Sequence, residues 1–443
     1  MRLTRFYLIS RGMLLLLALI LVGCSSGSGE TSTPIKNSPT RVVAIQTASR
    51  QKVSIRTATG SSAIDSLVAQ ILANMHLHAW NPHAMSHTTM TGGLYINWKI
   101  TDPSITNVTN PGADGDTDHN HDPQVDLLYL LSLAEYHQLH PQDHSYDGDL
   151  SRATSLVLAD FKTYGTPKGW IYFSLLKAGT LLNNSDLVNT AHNFVNNFYK
   201  RSYDPTLGFV YNRGTQTPVV YNTDHTLVAG AALIDAGIHW NNQDWVDAGE
   251  KTIDHTIAVA LNPQYHFFYY SMVVSSDGHD KIGNYKAKAG IQGQMADALL
   301  TAYTLTHRQQ YLDVATQMIQ AMFGSSGMWD KSLGGFFYAF DLQKGAPVTG
   351  YKETRGQSLM LLAIQHYNQI MQQQYAQQEQ QVVDVLTNHF YQRDYHGYVY
   401  RMTPDFQIFV NTAKSGNTVG AEDYFTTEAM GGAMDALQRT ELG

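Results

Sequence analysis

From Ser61 to the C-terminus, apolar residues recur about every 3.6 positions in roughly twelve segments, and the segments alternate between two kinds. In one kind the apolar residues form a single stripe. Tyr311, Val314, Ala315, Met318, Ile319 and Met322 line one side of a segment whose other side carries Gln309, Asp313 and Gln317, and Leu187, Ala191, Phe194, Val195 and Phe198 repeat the pattern. The other kind is apolar or small nearly all round, as over 127–134, 227–234, 298–303, 359–364 and 429–437. Such helices must be covered on every side. One-faced helices begin near Ser61, Leu150, Asn184, Gln243, Gln309 and Gln377, and enclosed ones near Asp122, Lys168, Asn222, Lys288, Glu353 and Gly420. The alternation predicts an outer ring packed on an inner ring, an all-α (α/α)6 barrel of six helical hairpins spanning residues 61–443; two separate helical domains are the competing reading of the length.

The connections agree with two rings. Links from enclosed to one-faced helices are short, around Asn183-Asn184, Asn241-Asn242 and His307-Arg308, as antiparallel neighbours require. The return links are mostly long, which gathers the long loops on one rim, where binding and catalysis tend to sit. Three of these loops carry an Asp, a Gly and then aromatic residues: Asp204 to Tyr211, Asp330 to Tyr338 and Asp394 to Tyr400. That pattern predicts a tight turn and short strands, a small β-hairpin introducing each inner helix.

The first residues read as an address. Arg2, Arg5 and Arg11 precede an apolar run from Met13 to Val22 that ends in Leu21-Val22-Gly23-Cys24, too short for a lasting membrane span. The last four residues resemble a bacterial lipobox. Residues 1–23 would then be a lipoprotein signal peptide, Cys24 would carry the lipid, and 24–60 would form a flexible tether. This implies an extracytoplasmic, cell-surface protein that meets the membrane through its lipid only. Cys24 is the single cysteine, so no disulfide framework holds the fold. A formal charge of −8 without any basic stripe excludes nucleic acid as a natural partner. Few charged residues (15%) and many aromatic ones (11%) suit a neutral polyhydroxylated ligand bound by a monomer.

Trp329-Asp330-Lys331-Ser332-Leu333-Gly334-Gly335-Phe336-Phe337-Tyr338, followed by Asp341, Gly345, Pro347, Lys352 and Gly356-Gln357, resembles a loop of the N-acylglucosamine 2-epimerase and cellobiose epimerase group. The helical layout over 61–440 resembles the wider six-hairpin glycosidase superfamily, with its endo-α-1,6-mannanases and unsaturated glucuronyl hydrolases. The resemblance implies a glycoside hydrolase acting on an extracellular oligo- or polysaccharide. It also admits a sugar 2-epimerase with a base such as His225, or a glycan-binding lipoprotein without catalysis. The chain lacks the Asn-x-His-x-His-x-x-Glu pattern of the epimerases and the adjacent aspartates of the mannanases, so no catalytic pair carries over.

In such a barrel the inner helices start at the long-loop rim and aim six positive dipole ends at one funnel mouth. Glycoside hydrolysis needs two carboxylates roughly 5–9.5 Å apart. Asp224 is the leading candidate, paired with Asp118, Glu353, Glu422 or Asp423. Acids at helix starts also serve as caps, and Asp122 before Pro123 reads as a plain N-cap. His225 and Arg355 are candidate substrate contacts, Arg355 acting with Glu353 on an acidic sugar. Trp170, Tyr172, Tyr221, Tyr285, Trp329, Tyr351 and Tyr424 are candidate platforms for sugar rings. Asp114, Asp116 and Asp118 alternate like the start of a calcium loop, but His119 replaces its glycine and Val125 its closing acid; no cofactor is expected.

Overall fold

The computed structural model describes residues 61–442, apart from 83–84, 87–88, 91, 107–121, 213–217, 276–278 and 413–419. The leader, Cys24, the tether, and Asp114, Asp116 and Asp118 lie outside the described residues. Six outer helices are α1 (Ser61–His78), α3 (Asp147–Phe161), α5 (Ser185–Ser202), α7 (Gln243–Ala260), α9 (Gln309–Phe323) and α11 (Ala376–Val385), the last running into a π-helical turn, Leu386–Phe390. Six inner helices are α2 (Pro123–Leu139), α4 (Gly169–Leu181), α6 (Thr223–His239), α8 (Ala289–Thr306), α10 (Thr354–Ile370) and α12 (Thr427–Leu442). Each inner helix packs on the next, and α12 closes on α2, so the inner ring is complete. Along α9 the apolar stripe is the buried face, whereas α6 is buried on nearly every side. None of the described helices is long and apolar enough to cross a membrane.

Small residues set the closeness of the rings. A Cβ on Gly169 would lie 2.2 Å from the carbonyl oxygen of Val228, and one on Gly293 would lie 2.7 Å from that of Leu359. Here α4 meets α6, and α8 meets α10, backbone against side-chain-free backbone, an approach only glycine permits. The tight turns follow the sequence closely. Asn183, Asn241 and His307 take the left-handed conformation at φ of 50°, 55° and 57°, which Asn and His tolerate better than most residues. The next asparagines, Asn184 and Asn242, then cap α5 and α7 by accepting N–H groups of Leu187 and Trp245.

The three Asp-led hairpins form, with a change of place. Tyr203–Asp204 pairs with Phe209–Val210, Tyr391–Gln392 pairs with Gly397–Tyr398, and Trp329 bridges Phe336. Each closes the preceding outer helix rather than opening the following inner one. Asp204 accepts the N–H groups of Thr206 and Leu207, and Asp330 those of Ser332 and Leu333. In the third hairpin His396, not Gly397, has positive φ; the absence of a side chain at Gly397 instead makes room for the ring of Phe425.

The strand that leads into an inner helix pairs with the loop of the following hairpin. Val220–Asn222 pairs with Ser271–Val273, Lys286–Lys288 with Ala339–Asp341, Lys352–Glu353 with Arg401–Met402, and Tyr424–Thr426 with Asn97–Lys99. The last pairing keeps the backbone extended as far as Thr426, so α12 starts at Thr427 and not near Gly420. At each of these junctions the first helical N–H is satisfied across the ring: Thr223, Ala289, Thr354 and Thr427 donate to the carbonyls of Tyr270, Tyr338, Tyr400 and Ile96. The hydroxyls of Thr223, Thr354 and Thr427 reach neighbouring carbonyls of Tyr269, Val399 and Tyr95. Gln292 and Gln357 do the same one turn on, each pairing its amide with the backbone N–H and C=O of Phe268 or Phe336. The rim is thus fixed by polar groups that helix ends would otherwise leave unsatisfied.

Candidate active site

The first turns of all six inner helices surround one axial cavity of about 280 Å³. Its wall has a repeat. The second residue of every inner helix lines it: Gln124, Trp170, Asp224, Gly290, Arg355 and Glu428. So do the residues just before five of the helices: Asp122, Lys168, Asn222, Lys288 and Glu353. Tyr270, Tyr400 and Ile96 enter from the loops that cap α6, α10 and α12. Six helix N-termini facing one space contribute positive partial charge to it, which offsets in part the four carboxylates of the same wall, Asp122, Asp224, Glu353 and Glu428.

Asp224 is 4% exposed, and its Oδ1 accepts no hydrogen bond from the described residues. Its Oδ2 is 3.9 Å from Nε2 of His225, which also lines the cavity. A buried carboxylate oxygen without a donor is costly, and Asp224 carries one in the wall of the cavity. Glu353 differs. Burial pushes its carboxyl up to about 7, against the pull of Lys288 and Arg355 and with a further push from Glu428. Lys288 Nζ lies 4.4 Å from the centre of the Tyr270 ring and 5.7 Å from that of Tyr338, held by cation–π attraction. Arg355 Nη1 is 2.9 Å from Glu428 Oε1, so its nearest acid is across the cavity wall and not Glu353. Lys168 donates to the Gln124 amide oxygen at 2.8 Å. Asp122 caps α2 through the N–H of Gln124 at 2.9 Å, as its place before Pro123 implies.

The structure thus brings Asp224, Glu353, His225, Arg355 and Trp170 together. It sets the other described candidates apart. Glu422 sits on the segment before α12, buried, in a two-point pair with Arg401 at 2.6 and 2.5 Å; burial raises its carboxyl despite that partner. Asp423 turns to Lys99 at 3.7 Å. Both were expected in the first turn of α12, a position that Glu428 holds. Tyr172 and Tyr221 are core residues whose hydroxyls donate to Asp235 and Asp280. Trp329 packs on Phe323 and Phe336, and Tyr285 lies edge-on to Tyr269. Tyr351 stacks on Tyr338 with ring centres 4.6 Å apart, and Tyr424 lies beside Lys99. None of these lines the cavity. Asp118 lies outside the described residues. No group of three or more His, Cys, Asp or Glu able to hold a metal occurs among the described residues.

Lys288 and Glu428 stand where polar residues of the inner-helix starts are expected, whereas Lys168, Gln124, Tyr270 and Tyr400 line the cavity without having been expected there. The helical ones share a signal, the fixed offset from each inner helix start. The two tyrosines had none, because their place depends on pairing between loops of successive hairpins.

The loop that resembles the epimerase group is structural. Lys352 donates to Asp330 at 2.9 Å and to the carbonyls of Gly334 and Pro404, and Gln357 clamps Phe336. These residues hold the strand that presents Glu353 and touch no part of the cavity.

Among solved structures the chain is similar to an unsaturated glucuronyl hydrolase specific for heparin, with a TM-score of 0.62 at 13% identity over 86% of this chain and 96% of that one. It is similar to a D-mannose isomerase, with 0.61 at 11% over 88% and 100%. An inactive variant of an α-1,6-mannanase of Salegentibacter sp., in complex with α-1,6-mannotriose, gives 0.56 at 11% over 86% and 99%. No protein-family model matches the chain, and no curated protein matches it in sequence. At these identities the likeness is one of fold: the chain is an (α/α)6 toroid of the six-hairpin architecture.

Proposed function

We propose that this protein is a carbohydrate-active enzyme, specifically a glycoside hydrolase in which Glu353 is the general acid and Asp224 the second carboxylate. The observation that carries the proposal is a pair of carboxylates in unlike surroundings on one cavity wall. Glu353 holds a proton up to about pH 7 because it is partly desolvated where it stands in the wall, and Asp224 has an oxygen with no donor of its own. Unequal environments are what divide acid from base in such sites. Glu353 would give its proton to the leaving oxygen as the glycosidic C–O bond breaks. Asp224 would take a proton from the water that adds to the anomeric carbon, or would attack that carbon first. Held outside the cytoplasm by a lipid on Cys24, a monomer of this kind would meet oligo- or polysaccharides that do not enter the cell.

Incubating the purified protein with a panel of neutral and acidic glycans should release new reducing ends. Deuterium uptake from solvent at carbon 2 of a sugar, without cleavage, would instead establish epimerisation, for which His225 beside Asp224 is the available base. Binding with neither outcome would leave a glycan-binding protein.

The pH profile has a defined sign. The acid must be protonated, so activity should decline as pH rises through about 7, the value to which burial brings Glu353. Lys288 is the foremost neighbour that opposes this rise. Lys288→Met should therefore move the alkaline limb to higher pH. A limb that stays in place would separate Glu353 from the proton transfer.

A further inference from the structure

We infer that the enzyme is exo-acting: one terminal sugar residue enters the axial cavity, and the remainder of the glycan leaves over the N-terminus of α4, across Trp170. The inference rests on the glycosidase reading of this site and adds its mode of attack.

Two features of the cavity argue against a polymer running through it. Its side wall is unbroken, because all six inner helices contribute and the inner ring is closed. Its apolar lining includes Val125, Leu128 and Ile291, which lie within about a turn and a half of the starts of α2 and α8. A space of about 280 Å³ is just below the usual size of ligand pockets, roughly 300–1,000 Å³. That volume suits the end of a chain and not its middle.

The height of the rim then gives the direction of exit. Four strand pairings wall the mouth from α6 through α8, α10 and α12 to the loop before α2. The link between α3 and α4, residues 162–168, is the one return connection that carries no strand among the described residues. At that gap the cavity-lining second residue is Trp170, the positional equivalent of Asp224 on α6. Trp170 is partly exposed, and its ring pairs with no other aromatic ring among the described residues. An indole face at the lip of a pocket offers an apolar surface for the ring of a second sugar. Lys168, tied to Gln124 at 2.8 Å, adds a donor on the same side. Trp170 is thus assigned as the residue that binds the leaving side of the substrate.

The test uses the full chain and whichever glycan of the panel is cleaved, with its reducing end first converted to the alditol by borohydride. Monosaccharide should be the sole small product from the earliest time points, and viscosity should fall slowly relative to the reducing ends formed. Trp170→Ala should raise KM about tenfold, the loss of roughly 1.4 kcal/mol of stacking, with a much smaller fall in kcat and a lowered melting temperature, because the indole also packs on the core; Trp170→Phe, which keeps an aromatic face and most of that packing, should restore most of both. Early internal oligosaccharides with a rapid loss of viscosity would overturn the exo assignment while leaving hydrolysis intact. An unaltered KM in Trp170→Ala would overturn the exit path. Failure to cleave any glycan would instead remove the glycosidase reading on which the inference stands.

Discussion

Asp224→Asn is expected to lower kcat by about 100- to 10,000-fold, the usual contribution of a positioned acid or base, while the melting temperature barely moves. The substitution keeps the shape of the side chain and removes its charge. Few structural bonds are at stake, since Oδ1 accepts none and Oδ2 has only His225 at 3.9 Å. What folding loses is the favourable place of an anion in the first turn of α6, worth about 1 kcal/mol or less. Steady-state kinetics on the cleaved glycan, beside a thermal melt, read both quantities. Full activity in the variant would remove Asp224 from the mechanism, and the role would pass to another acid of the same wall, Asp122 or Glu428.

Lys352→Met should destabilise the protein by about 3–5 kcal/mol, the range for removing one partner of a buried ion pair. Lys352 is fully buried, and its ammonium meets Asp330 at 2.9 Å, two backbone carbonyls and the ring of Phe406. Without it Asp330 is a buried carboxylate with no cation. Although burial acts to raise the Asp330 carboxyl, the bonds from Ser332 and Lys352 hold it down to about 2. A depressed carboxyl stabilises the fold above its unfolded value, and that contribution is lost as pH falls from about 4 through about 2. Urea unfolding at neutral pH should show the loss in Lys352→Met. The double variant Asp330→Asn/Lys352→Met should recover part of it, because the stranded charge is then gone. A single variant as stable as the parent would show that the pair is not what holds this loop. Activity should fall with stability, since the same strand carries Glu353.

The site is legible in the sequence where the signal is local. Asp224, Glu353, His225, Arg355 and Trp170 are legible because each lies at or beside the start of an enclosed helix, and apolar periodicity places those starts. Glu422 and Asp423 were misplaced for an equally physical reason. The acidic run before α12 looks like a first turn, but Tyr424–Thr426 is drawn into a strand by Asn97–Lys99, a partner more than three hundred residues away in the chain. Tyr172 and Tyr221 are not platforms, because their hydroxyls satisfy half-buried aspartates. An aromatic residue gives no sign in sequence of which way it points.

Hydrophobic patterning by itself determined the alternation of one-faced and enclosed helices, the tight turns at Asn183, Asn241 and His307, and hence a double ring with its long loops on one rim. Those properties depend on burial and backbone preference, which are decided within a few residues of chain. Only the tertiary structure decided that the second residue of every inner helix faces the axis, that Arg355 turns to Glu428, and that the loop tyrosines Tyr270 and Tyr400 complete the wall. Ring closure sets these, by bringing together helix ends and loops from successive hairpins whose pairing no local preference specifies.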